Sequence, residues 1–212
     1  MNLGSIAGLL LILVILPLGA LYYMNEGAKW RKERLDELQD YSQLSEQQLR
    51  MNYDTLTDIF MDEKNIIVSS FINSEQSKLN ADFGAMLQKL HEQFDARGDV
   101  YFFTHVLNDS LGTFTEAFRQ EYGLEDEAQC FFIQGKENAL GPLAKQAYQI
   151  TRQEGQQWHN SPLFALVDDM MVRNYYDVQN PEAVKRLIEH IAILIPPRKD
   201  REDLVFKREA EK

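Results

Sequence analysis

The sequence holds a single cysteine, Cys130, in 212 residues. One thiol excludes an intrachain disulfide and any C-x-x-C or C-x-x-x-C redox pair. Basic side chains are also short, with 22 Lys and Arg against 33 Asp and Glu and a formal charge of -11. No Lys/Arg stripe with interleaved aromatics offsets that field, so nucleic acid is excluded as a partner. G-x-S-x-G, a Walker loop, G-x-G-x-x-G and H-E-x-x-H are all missing. His91, His105 and His190 are scattered along the chain. Nothing in these patterns points to an enzyme or to a small-molecule substrate.

Charge is absent altogether from Met1 to Asn25, and "IAGLLLILVILPLGALYYM" (Ile6 to Met24) is a dense apolar run. A helix needs about 20 apolar residues to cross a bilayer, and Tyr22 and Tyr23 suit an interfacial aromatic anchor. A cleaved signal peptide fits less well, because the run lacks a basic n-region and an A-x-A site. The expectation is therefore an uncleaved single-span anchor over residues 1–25. Lys29, Arg31, Lys32 and Arg34 follow the run, and the positive-inside rule taken literally puts the remainder in the cytoplasm.

Residues 26–60 read as a charged helical stalk or linker, with "SEQQ" at Ser45 to Gln48 as a capping box. From residue 61 to 196 the pattern alternates. "IIVSSFI" and "VYFFTHV" are buried-strand runs, "CFFI" a third, and each is followed by an amphipathic helical stretch. Asn80 is the expected start of the first of these helices, Gly123 closes the second, and Leu140 to Ile150 form the third. Leu163 to Val167 and Val172 to Tyr176 are close enough to form an antiparallel hairpin, with Asp168 and Asp169 at its turn. Asn180 and Pro181 open a last helix. Residues 197–212 form a charged tail. A β-α-β half followed by α-β-β-α predicts an α/β, thioredoxin-like domain: a central mixed sheet with helices on both faces, behind an N-terminal transmembrane helix. Pro162 stands where such folds place a cis-proline.

The stretch "HNSPLFALVDDMMVRNYYD" is similar to a segment of the SCO/SenC family, membrane-anchored thioredoxin-fold proteins of cytochrome c oxidase assembly. Phe164, Leu166, Val167 and Asp168 match that family's strand, and Val172, Arg173, Tyr175, Tyr176 and Asp177 its turn-out. Glu182, Val184, Leu187, Ile188 and Ile191 match its last helix. "IIVSSFINS", "FGAMLQKL" and "EYGLEDEAQCFFIQG" extend the resemblance from about Ile66 to Leu194.

The family binds copper through C-x-x-x-C and a distal histidine, and the resemblance puts His159 at the histidine position. The matching loop here, "NSEQSKLN" (Asn73 to Asn80), supplies no thiol in any register. Cys130 falls in a strand, as a small buried hydrophobe. A Cu(I) site wants soft thiolates. One imidazole with Ser74, Ser77 and the Glu75 carboxylate is a poor substitute, and thiol–disulfide exchange is impossible. The resemblance thus implies a degenerate member without a cofactor. It would serve a respiratory oxidase as accessory factor or bound subunit through protein contacts, its domain periplasmic on an inner-membrane anchor. The alternative is a copper metallochaperone with a non-standard site of His159 and Glu75. A homo-oligomer built on the stalk is a third reading, with only Leu35, Leu38 and Tyr41 in register.

Overall fold

The computed structural model describes residues 3–109, 111–150 and 161–195, with side chains from residue 13 onward except that of residue 55. The chain divides into two compact units, 1–39 and 40–212.

The first unit is one helix, α1 (Leu3–Asp36), about 50 Å long at 1.5 Å per residue. Leu13, Val14, Ile15, Leu16, Leu18 and Leu21 are all exposed along it. Its last turns are charged, with Lys29 near Glu33 and Arg34 bonded to Glu37 at 2.6 Å. Among the described residues no helix is long and apolar enough to cross a membrane. The side chains of 1–12, which open the apolar run, lie outside that set.

The second unit begins at Asp40 and not at residue 61. Residues 40–60 are built into the domain: Leu44, Leu49, Tyr53 and Phe60 are buried. Strand β1 (Ser42–Gln43) leads to α2 (Glu46–Tyr53) and α3 (Thr57–Met61). The capping box forms at α2, where Ser45 Oγ accepts from the Gln48 N–H and the Gln48 side chain accepts from the Ser45 N–H. What looked like a stalk is a short amphipathic helix whose apolar side meets a sheet, a partner that a local pattern does not reveal.

Strands β2 (Ile66–Asn73), β3 (Val100–Leu107) and β4 (Cys130–Gly135) follow, then β5 (Leu163–Asp168) and β6 (Met171–Asp177). The sheet order is β1-β6-β5-β2-β3-β4. β2, β3 and β4 run parallel, and β5, β6 and β1 each pair antiparallel with their neighbour. The four strands β6-β5-β2-β3, of which only β5 runs against the other three, with helices between them, are the thioredoxin-like core expected from the sequence. β4 and its helix extend one edge. β2 is buried at every position, as a central strand covered on both faces must be.

Between β2 and β3 lies α4 (Ser77–Phe94), between β3 and β4 lies α5 (Thr113–Tyr122), and α7 (Pro181–Leu194) ends the described domain. These three helices cover one face, where Phe83 meets Phe164 edge-on at 5.3 Å. α2, α3 and α6 (Glu137–Pro142) supply the core of the other face. α4 starts at Ser77, not at Asn80: the Asn80 side chain sits in the first turn and donates to the Asn73 carbonyl at 2.7 Å. α6 likewise starts at Glu137 and runs on into a π turn, Leu143–Ala147. No peptide bond among the described residues is cis, so Pro162 is trans. The Asp169–Met170 turn has φ of 49° and 56°, a primed hairpin turn made without glycine or asparagine.

Candidate functional site

In open α/β sheets the ligand-binding end is where parallel strands finish. Here that end gathers three loops. β2 ends in Asn73, whose Oδ1 accepts from the Glu75 N–H at 3.1 Å, and Ser74 Oγ donates to the Asn108 carbonyl at 3.2 Å. β3 ends in Leu107, after which Asn108 turns left-handed with φ of 64°. Asp109 then accepts from the Phe114 N–H, from the Thr115 N–H at 2.8 Å and from the Thr115 hydroxyl. Burial opposes ionisation of Asp109, but these bonds prevail and hold its pKa below the usual carboxylate value. Its carboxylate caps α5 and is fully used. Beside it, Asn108, Asp109, Gln134, Gly135, Lys136 and Glu137 line a cleft of about 730 Å³.

Of the residues the sequence singles out, Glu75 is exposed in the first loop. His159 lies outside the described residues. Cys130 is buried at the start of β4, paired with Phe102, while Gly135 at the strand's other end pairs with Leu107. That separates the thiol from the loop end by about 17 Å at 3.3 Å per residue. Burial, with Asp126 adding to it, pushes its pKa up to about 12, so the group is an inert thiol. Asp168 and Asp169 sit at the hairpin turn, as expected, and burial raises the pKa of Asp168. Of the tyrosine pair, Tyr176 is buried and Tyr175 half-buried.

The chemistry that sequence inspection misses lies beneath this loop end, in the core under α2. His105 is fully buried and stacks on Phe71 with ring centroids 4.1 Å apart. Its Nδ1 faces the Ser70 carbonyl at 2.9 Å and its Nε2 the Tyr53 hydroxyl at 2.7 Å. A carbonyl only accepts, so Nδ1 carries the proton and Nε2 accepts from Tyr53. Tyr148 OH lies 3.1 Å from Tyr53 OH, and Ser69 Oγ donates to Tyr148 OH at 3.1 Å. The protons therefore run one way, Ser69 to Tyr148 to Tyr53 to His105 and on to the Ser70 carbonyl. Every member is satisfied by a neighbour, which is what a buried polar chain requires. Burial lowers the His105 pKa to about 4, against a smaller opposing effect of its bond to Ser70, so the ring is neutral near pH 7. Burial also raises both phenols, Tyr148 to about 12. The arrangement binds α2 to the sheet; it offers neither a nucleophile nor an open face to a substrate.

Neither a family model nor a curated protein matches the chain. Solved structures do resemble it. A SCO1/SenC family lipoprotein from Bacillus anthracis str. Ames shares 18% identity at a TM-score of 0.48, over 66% of this chain and 86% of that one. BsSco, a member of the Sco family of cytochrome c oxidase assembly proteins, shares 15% at 0.47, over 63% and 83%. Yeast Sco1 with copper bound shares 15% at 0.43, over 69% and 84%.

Proposed function

We propose that this chain is a SCO-like protein that has lost the family's metal chemistry. In this reading it serves a respiratory cytochrome oxidase through protein–protein contacts, as an assembly factor or bound subunit. The observation that carries the reading is the loop from Asn73 to Asn80. It spans the end of β2, the turn after it and the first turn of α4, where the resemblance puts the copper-binding cysteines, and it contains none. The one thiol in the chain is buried at the far end of the sheet. Asn73 and Asn80 instead bond to the backbone of the loop itself, and Ser74 donates to the Asn108 carbonyl of the neighbouring loop.

The same reading takes the Ile6 to Met24 run as a single inner-membrane span and puts the domain on the periplasmic side, against the positive-inside rule. It assigns no catalysis and no cofactor. The test is purification of the tagged full-length protein in mild detergent, followed by a haem absorbance spectrum and mass-spectrometric identification of co-purifying chains. Stoichiometric haem proteins of an oxidase support the reading; a colourless, solitary protein sinks it. A C-terminal reporter active only in the cytoplasm overturns the orientation. The second reading, copper delivery from a site of His159 and Glu75, is favoured by the family position of His159 alone. It requires copper retention that disappears in His159→Ala.

A further inference from the structure

The opposite end of the sheet holds a convergence of a different kind. His91 and Asp95 are four residues apart at the end of α4, hence on one side of it. Asp126 arrives from the loop between α5 and β4. Its backbone carbonyl accepts the Cys130 N–H and its Oδ1 the Ala128 N–H, both at 2.9 Å, which fixes Oδ2 toward the helix. His91 Nε2 lies 3.4 Å from that Oδ2 and 3.9 Å from Asp95 Oδ1, and the three ligand atoms all fall within 4.8 Å of one another.

We propose that His91, Asp95 and Asp126 bind a single divalent cation of the zinc class. Three physical points carry this. The separations are long for a charge-assisted hydrogen bond, which closes to about 2.7–2.9 Å. They suit ligands sharing an ion: with metal–ligand bonds of about 2.0–2.2 Å, the edge of a tetrahedron is about 3.4 Å. The His91–Asp126 edge already has that length, and Asp95, with a side chain 70% exposed, has the freedom to close its 3.9 Å separation from His91 and a separation of no more than 4.8 Å from Asp126. Second, two carboxylates converge in a chain of net charge -11, and neither has a Lys or Arg ion-pair partner among the described residues. A cation between them removes a repulsion that the imidazole alone meets only when protonated. Third, the donor set of one imidazole and two carboxylates is of borderline-to-hard character, suited to Zn²⁺ and mismatched to Cu(I).

Three protein ligands leave a fourth position on the Asp95 side, open to water. The site is separate from the His159 question, since His91 lies about 20 Å along α4 from the Ser77 turn at 1.5 Å per residue. Its effect is to tie the end of α4 to the approach of the edge strand β4.

The test uses the chelator-stripped full-length protein in detergent, titrated with zinc chloride by calorimetry and followed by thermal unfolding. The expected result is one equivalent bound and a raised melting temperature. His91→Ala and Asp126→Asn weaken binding roughly tenfold or more, because each removes a ligand. Asp95→Asn, at an exposed position that leaves the fold alone, weakens it too, and His159→Ala binds as the unaltered protein does. No heat and no thermal shift with the unaltered protein overturns the proposal. Undiminished binding in all three ligand variants, or loss of binding in His159→Ala, overturns it as well. None of these outcomes depends on whether an oxidase co-purifies.

Discussion

The two faces of the sheet solve the same packing problem with different materials. Under α4 and α7 the core is apolar contact: Phe83 against Phe164, with Leu87, Leu90, Val184, Leu187 and Ile191 buried around them. Polar contacts on that face include Ser70 with Thr104 and Tyr176 with His190. Under α2 and α6 the core has aromatic walls too, with Tyr53 stacked on Phe60 at 4.6 Å, but a four-member hydrogen-bonded chain runs through it. Apolar contacts are insensitive to pH and degrade gradually as atoms are removed. A buried polar chain is worth little net while complete and is costly once one link fails. The first face should therefore show volume sensitivity, and the second should show sensitivity to single atoms and single protons.

The largest single effect belongs to the apolar face. Phe83→Ala leaves a cavity against Phe164 and is expected to cost about 3–5 kcal/mol. Urea unfolding should give the same loss at pH 7 and at pH 5, because the contact removed is between two apolar rings. A loss that grew or shrank with pH would break the proposed division of labour.

Next comes acid. His105 has its folded-state pKa lowered from 6.5 to about 4 by burial. Below pH 6.5 the unfolded chain takes up a proton that the folded chain refuses. Stability contributed at neutral pH is thus lost progressively as pH falls from 6.5 toward 4, by about 3 kcal/mol at most. Asp109 and Asp126, with pKa values held below 3.8, act with the same sign but only at lower pH. The raised pKa of Asp168 acts with the opposite sign. Comparing the unaltered protein with His105→Phe cancels those contributions. The variant should be less stable at pH 7 yet flatter by one proton between pH 6.5 and 4.5, and parallel curves would refute the role given to His105.

Tyr53→Phe is expected to cost about 1–3 kcal/mol at pH 7, since it leaves His105 Nε2 a buried acceptor without a donor. Tyr53 belongs to α2, so the loss should appear as faster amide exchange across Glu46 to Tyr53 before the rest of the domain opens. Uniform protection changes would mean that α2 does not open as a separate unit.

Which of these features a reader of the sequence can find follows from how far apart in the chain their parts lie. The α7 face is local: Asn180 accepts from the Glu182 N–H, Pro181 starts the helix, and Val184, Leu187 and Ile191 recur at helical spacing. The β5–β6 hairpin and the parallel strands are equally local in pattern, which is why strand content and sheet class follow from the residues. The polar chain joins residues 52, 95 and 79 positions apart. Each member alone is ordinary: two tyrosines at the ends of helical stretches, a histidine in a strand, a serine in an apolar run. Likewise His91 and Asp95 are visible as a helical pair, but Asp126 reaches them only through the fold, 35 positions on. The absence at the loop end is the reverse case. No thiol between Asn73 and Asn80 is a local fact, and no folding changes it.

The smallest expected effect tests the direction of the chain. Ser69 is its first donor, so Ser69→Ala removes one hydrogen bond into Tyr148 and leaves an acceptor lone pair unmet. Tyr148 keeps its own donation to Tyr53, and Tyr53 keeps its donation to His105. With the proton order set by the Ser70 carbonyl, the cost should be about 0.5–1.5 kcal/mol, below that of Tyr53→Phe. If the protons ran the other way, Tyr148 would donate to Ser69 and the alanine would strand a buried hydroxyl proton. In that case Ser69→Ala would cost as much as Tyr53→Phe. The order of the two losses, measured by urea unfolding at pH 7, thus reports which ring nitrogen of His105 carries the proton.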